Sequence, residues 1–233
     1  GAFVSRPAAL LIALLLIPVT AAAATVPLSG GEQVSVEVLE ATEDRTVIEL
    51  SIGSFDRAAL DIGGAPYYAV TLSGEGRIQV EGAPELPLVA RSVAVPGDAE
   101  MKVRVLSLNS VDFEDTPVAP SKGVLLRNVN PASVPHTFGS SYTENRWYPE
   151  RVVELGDPYI MRDVRGVAVR FSPFHYNPAT RTLRVYDRVV VAVERTGTST
   201  KNVLREERMA PMDPEFRRIY EEHFVNFTSS PRF

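Results

Sequence analysis

Cysteine is absent from the 233 residues, which removes disulfides, thiolate metal sites and a cysteine nucleophile from the chain itself. Histidine is scarce: only His136, His175 and His223 occur, and no H-E-x-x-H or paired-histidine spacing joins them into a zinc site. Basic residues are outnumbered, 24 against 29 acidic, and a net charge of −5 leaves no field to hold a polyanion; nucleic acid is not an expected partner. No G-x-S-x-G elbow is present. Gly74-Glu75-Gly76 has no helix pattern after it and reads as a turn between strands rather than a phosphate cradle. Asp112-Phe113-Glu114-Asp115 lacks the spacing and the glycine of a calcium loop and reads as a solvated turn. Neither a metal nor a cofactor is expected, and the residues themselves nominate no catalytic group.

The one long apolar run is at the start. Arg6 precedes ten apolar residues, Ala8 to Ile17, and the small stretch Ala21 to Ala24 follows. This is the pattern of an export signal over residues 1–24, cut between Ala24 and Thr25. The run is too short for a spanning helix, which needs about 20 residues, so no membrane span is expected after signal removal. Arg6 is the only charge lost, leaving 23 basic and 29 acidic residues, net −6. With 45% hydrophobic and 23% charged residues, the remainder has ordinary globular composition.

The body alternates with period two. Val34, Val36 and Val38, then Ile48, Leu50 and Ile52, stand between polar neighbours, as half-buried strands require. Met101 to Val105, Val167 to Phe171 and Leu183 to Tyr186 repeat the pattern, and Asn177-Pro178 predicts a turn that pairs the last two as a hairpin. Val189 to Val193 is apolar on both faces and should be covered on both. Short strands punctuated by 15 Gly and 18 Pro, without intervening helices, predict an all-β antiparallel sandwich, jelly-roll-like, over residues 25–194. Residues 195–212 lose periodicity and read as a linker. Asp213-Pro214 then supplies an N-cap and a first-turn proline for an amphipathic helix over 213–227, with Phe216, Ile219, Tyr220, His223 and Phe224 on one face. Arg162, Asp163 and Arg165 read as an internal ion-pair network. Asn226-Phe227-Thr228 matches a glycosylation acceptor, though a turn or capping role is expected.

Several co-linear segments carry a family likeness. Ala119-Pro120-Ser121-Lys122-Gly123 with Val124 to Pro131, Val134-Pro135-His136-Thr137-Phe138-Gly139, Trp147-Tyr148-Pro149-Glu150, Asp157 to Gly166, and Tyr176-Asn177-Pro178 with Thr182 to Tyr186 resemble the N-terminal propeptide of gingipain-type cysteine peptidases, in order and spacing. Glu85 to Pro96 is similar to the family's G-x-P-x-L-P segment, with Ala83 a departure from it. The resemblance implies a β-sandwich that assists folding of a downstream caspase-like peptidase domain and keeps it latent. It also accounts for the missing cysteine, since the catalytic cysteine and histidine would lie in that domain. In members that cut after basic residues, a basic side chain on the loop after A-P-S-K-G enters the specificity pocket; Arg127 matches that position, with Lys122 and Asn128 beside it. Arg232-Phe233 resembles the maturation junction, residues 228–233 forming the connection to the peptidase domain, and Pro231 departs from the usual small residue. The family context implies export through the periplasm of a bacterium to its surface or beyond. The alternative is a stand-alone exported adhesive or carbohydrate-binding sandwich, with Trp147, Tyr148 and Tyr142 as an exposed platform.

Overall fold

A computed structural model describes residues 23–205 and 213–229. Most of the export signal lies outside the described residues, as do Arg232 and Phe233. The strands run β1 (Ala24–Pro27), β2 (Val34–Ala41), β3 (Arg45–Ile52), β4 (Ser54–Ile62), β5 (Ala65–Thr71), β6 (Gly76–Arg77), β7 (Pro87–Val95), β8 (Ala99–Phe113), β9 (Val153–Leu155), β10 (Tyr159–Met161), β11 (Val164–Phe171), β12 (Phe174–Asn177) and β13 (Thr182–Thr198), followed by α1 (Pro214–His223). Every ladder between them is antiparallel.

Two five-stranded sheets carry the sandwich, with a smaller sheet β1-β4-β5 beside them. In one, β11 pairs with β7 along one edge and with β9 and β10 along the other. In the other, β13 receives β12 and then β3 along one edge and β8 along the whole of the opposite edge, and β2 follows β3. The alternating residues of facing strands meet in one core: Val93, Val167, Val169 and Phe171 from the first sheet, Ile48, Leu50, Val189, Val191 and Val193 from the second. Phe55 of β4 joins them, set edge-on against Phe113 and Phe174 at 5.4 Å.

The apolar run at 189–193 is buried on both faces as expected. Val47, Val190 and Ala192 form the outward cluster. By register, Arg45, Glu49, Arg188, Glu194 and Arg104 share that outer face. Their ion pairs, Glu194 with Arg45 and Arg104 and Glu49 with Arg188, surround the cluster and lay aliphatic stems over it.

Three expectations about the sheets need correction. The hairpin at Asn177-Pro178 joins β12 to β13, while the strand over 167–171 belongs to the opposite sheet. Between them Ser172-Pro173 carries the chain from sheet to sheet: Ser172 N–H donates to Val152 O, and Pro173, with no N–H of its own, accepts from Tyr186. The domain does not stop at Glu194, because β13 pairs on to Thr198, and Ser199 and Leu204 still donate to Asp98 and Gly97 carbonyls. Edge ladders need backbone groups, not apolar periodicity. Arg165 is not in an ion-pair network either. Its guanidinium is fully buried and donates to the carbonyls of Pro96, Ala99, Lys201 and Asn202, fastening this extension to the sheet. Arg162 stacks on Phe216, and Asp163 accepts from the Tyr220 hydroxyl.

The helix begins as expected, with the Asp213 carboxylate accepting from Glu215 N–H, but ends at His223 rather than 227. Tyr220 and Phe224 are buried against β11 and β10, while Ile219 faces solvent. The turn after the helix enters the end of the sandwich. The Asn226 amide accepts from Ala94 N–H at 2.8 Å and donates to Ala94 O at 3.0 Å and Thr46 Oγ1 at 3.1 Å, so one side chain bridges the two main sheets. At 1% exposure it is closed to a glycan in the folded protein.

Gly166 makes room for this tail: a Cβ there would lie 2.4 Å from Phe224 Cε1 and 3.0 Å from Tyr159 Cζ. Gly166→Ala is expected to destabilise the fold by about 1–3 kcal/mol through overpacking. In limited proteolysis the segment after Asp213 should become the first cut, a shift that thermal denaturation and peptide mapping together would read.

Candidate functional site

The residues nominated at 122–128 lie on a projection with a built base. Segment 119–121 runs antiparallel to 83–85: Glu85 donates to Ala119 O and Ser121 to Ala83 O. Gly82 then ties both ends of the projection, donating its N–H to Ser121 O at 3.0 Å and accepting Gly139 N–H at 2.8 Å. At φ +76° Gly82 occupies the left-handed region, and a Cβ there would come within 3.0 Å of Gly139 N, so the closure needs glycine on steric and conformational grounds alike. Between Ser121 and Gly139 there is no strand, only a short 3-10 turn at Pro131–Ser133, and a second, Ser140–Thr143, follows Gly139.

Cross-straps hold the loop's arms together. Lys122 Nζ donates to Pro131 O at 2.8 Å, and His136 Nδ1 donates to Pro120 O at 2.8 Å. Asn130 caps the 3-10 turn by accepting from Ala132 N–H, and Ser133 Oγ donates back to Asn130 O. Beneath the arms lies a pocket of about 350 Å³ whose lining includes Leu60, Ala69, Lys122, Leu125, Pro131 and His136.

The loop ends in a tight turn closed by Val129 N–H on Leu126 O at 2.9 Å, which places Arg127 and Asn128 at its tip, both exposed. Val124 and Leu126 beside them are 77% and 71% exposed, far more than a folded domain gives to isolated aliphatic side chains by need. Arg127 has no ion-pair or hydrogen-bond partner among the described residues, whereas Arg77, Arg91, Arg184 and Arg188 each grip a carboxylate. Lys122 belongs to the frame of the loop, not to its tip. The sequence nominated Lys122 with Arg127; the structure separates a strap from a presented side chain. Gly82 went unmarked in the sequence, since a lone glycine carries no signal of which two segments it joins.

The other candidates resolve into structure. Asp112 is clasped by Arg184 at 2.8 Å through both oxygens, which holds its carboxyl below the ordinary range, and Asp115 pairs with Arg181. Trp147 is covered by the Arg184 guanidinium 4.3 Å from its ring centre. Tyr142 donates to Val118 O, and Tyr148 pairs its backbone with Tyr176. The three aromatic residues are packing elements, not an open platform. His223 meets the Tyr159 hydroxyl at 2.7 Å. Ala24 and Thr25, the expected signal junction, lie on exposed β1, where Thr25 Oγ1 donates to Asp56. Among the described residues no helix is long and apolar enough to cross a membrane, and no cluster of His, Cys, Asp or Glu could hold a metal.

His175 is 4% exposed, with Nε2 buried and unpartnered and the ring edge-on to Tyr186. Burial pushes its pKa down to about 4 from the ordinary 6.5. The unfolded chain therefore takes up a proton below pH 6.5 that the folded chain refuses until about 4. Its contribution to stability is whole above pH 6.5 and falls by on the order of 3 kcal/mol as pH drops to 4. Urea midpoints measured from pH 7 to 4 should show this slope in the wild type and a flatter one in His175→Phe.

Comparison with known proteins agrees with this architecture. The family model described as Propeptide_C25 matches residues 29–213. Gingipain R2 of Porphyromonas gingivalis is 33% identical over 204 residues, 88% of this chain and 28% of that protein; gingipain R1 of the same species is 40% identical over 141 residues, 60% of this chain and 14% of that protein. The chain thus spans about a quarter or less of the length of these curated relatives. Among solved structures, a complex of Porphyromonas gingivalis RgpB pro- and mature domains aligns with 85% of this chain and all of the matched chain, at TM-score 0.75 and 33% identity. A structure concerning the zymogenic latency of gingipain K from the same species has the same fold at TM-score 0.64 and 19% identity, over 76% of this chain and all of that one. By sequence and by fold, the chain belongs to the Propeptide_C25 family, the propeptides of gingipain-type cysteine peptidases.

Proposed function

We propose that this domain keeps a downstream cysteine peptidase latent by seating Arg127 in the peptidase's specificity pocket, and that it assists the folding of that domain within an exported precursor. The observation that carries the reading is the tip itself. An unpaired guanidinium stands on a loop tied at both ends to one residue, Gly82, and strapped through Lys122 and His136. A guanidinium offers a fork of donors that a pocket carboxylate can accept bidentately. Because the loop is ordered before binding, little conformational entropy is lost on docking, which favours tight inhibition. The same frame favours latency over turnover: if the bond after Arg127 were cut, the new ends would stay held near each other by the Gly82 tie and the Lys122–Pro131 strap. Asn128 would sit where the chain turns away from the cleft.

In an inhibition assay against the mature peptidase of the same precursor, Arg127→Ala is expected to raise Ki by roughly 10²- to 10³-fold, the scale for truncating one partner of a buried charge pair. Arg127→Lys should recover part of that loss if the pocket carries a carboxylate. Unchanged inhibition by Arg127→Ala would remove the specificity-pocket role.

The ends of the propeptide are proposed at Thr25 and Arg232. Thr228 and Ser229 leave the domain exposed beyond the buried Phe227, so a peptidase can reach the chain just past the docked tail. Mass spectrometry of the exported precursor and the matured enzyme should give N-termini at Thr25 and Phe233; a mature terminus elsewhere would reject the assignment.

A further inference from the structure

Strand β8 has a feature that neither the fold nor the loop accounts for. It spans 15 residues and pairs on one edge only, with β13, so its other edge is open among the described residues. By register Val105, Leu108 and Val111 stand opposite Val191, Val189 and Val185, all of which are fully buried, so these three side chains point to the inner face of the sandwich. Nearer its start, Met101 and Val103 in the same row pack on the core. From Val105 to Val111 the row is uncovered, at 39%, 39% and 42% exposure, before Phe113 turns back onto the core. Leu106, pushed out at a register shift between Val190 and Val191, adds a fourth exposed aliphatic group. A long open edge lined with aliphatic side chains is an aggregation hazard that soluble domains usually blunt with charge or cover. Over 105–111 the strand carries no charged residue at all.

The ends of β8 indicate what covers it. At one end Val103 is level with Val193 and Val193 with Thr46, the residue to which Asn226 donates, so the departing tail lies about two strand spacings, roughly 10 Å, from β8. At the other end Phe113 leads through a short turn into the segment 119–121 that begins the loop. The strip lies between the exit of the chain and the base of the inhibitory loop, along a strand on the order of 45 Å long.

We infer that the Val105-Leu106-Leu108-Val111 strip is a second docking surface for the peptidase domain that follows in the precursor, separate from the loop tip. The inference rests on the propeptide reading above. A domain tethered at the tail and engaged at the loop is held over this edge at high effective concentration, an advantage no free partner or second copy shares. The loop would set specificity, while the strip would supply area that does not depend on what the pocket accepts.

The test compares wild type, Leu108→Lys and Leu106→Lys of the propeptide, with Ki and dissociation rate measured against the mature peptidase, sedimentation velocity for self-association, and thermal denaturation for the fold. Leu106 is displaced from the ladder register, so its substitution keeps the test valid if position 108 proves sensitive to folding. The expected result is at least tenfold weaker inhibition for both variants, carried mainly by faster dissociation, with unchanged denaturation for Leu106→Lys. Inhibition at wild-type strength by Leu106→Lys, and by Leu108→Lys where that variant keeps its fold, overturns the inference. Wild-type dimers that the substitutions disperse without weakening inhibition would assign the strip to a second copy and overturn it likewise. If the wild-type chain does not inhibit at all, the propeptide reading fails and this one with it, an outcome distinct from the others.

Discussion

The ladder along β13 is the constraint on which the rest depends. It binds β12, β3 and β8, and its residues 189, 191 and 193 sit at the centre of the core while 190 and 192 hold the outer face. Seventeen residues of strand in one piece let a single element fix the loop's approach at one end and the tail's departure at the other. The charged residues respect this arrangement. On the outer face, ion pairs of modest individual worth gather around a small aliphatic cluster, where their stems matter more than their charges. Inside, the buried guanidinium of Arg165 is met by four backbone carbonyls and so satisfies the unpaired ends of neighbouring segments.

The division between scaffold and presented loop follows from how each is stabilised. The sheets are held by continuous ladders and a shared core. The projection has neither, and relies on glycine at 82, prolines at 120, 131 and 135, and a few polar straps to limit its freedom. Such a loop can be ordered yet leave its tip unsatisfied. Arg127, Leu126 and Val124 project into solvent, while Arg77, Arg91, Arg184 and Arg188 each grip a carboxylate, and on the proposed reading that contrast marks the tip as a surface for a partner.

Much of the sheet pattern was legible in the residues. Period two at 34–38, 48–52 and 167–171 marked strands, and Asp213-Pro214 marked a helix start, because these signals are local and each follows from one backbone geometry. Which strands pair was not legible: Asn177-Pro178 announced a turn but not that Ser172-Pro173 had already moved the chain to the other sheet. The extension past Glu194 was hidden for a related reason, since its support comes from backbone carbonyls and from Arg165, about 30 residues earlier in the chain. Arg127 could be singled out only through a family likeness. The role proposed for it depends on an unpaired guanidinium, and a missing contact leaves no mark in composition or spacing.

The tail connects these observations to the order of events in a precursor. Asn226 imitates a strand residue, exchanging both a donated and an accepted bond with Ala94 while reaching Thr46 on the other sheet, and Phe224 and Phe227 are buried beside it. The segment is therefore part of the sandwich and not a passive leash. On the proposed reading, a cut beyond Ser229 would remove the covalent tether but leave this seal untouched, so the freed propeptide would keep its fold. Release of the peptidase would then depend on the loop and the second surface letting go, and latency could outlast the first cleavage. A propeptide whose own tail closes its core separates two things that a simple linker would join: cutting the chain and losing the inhibitor.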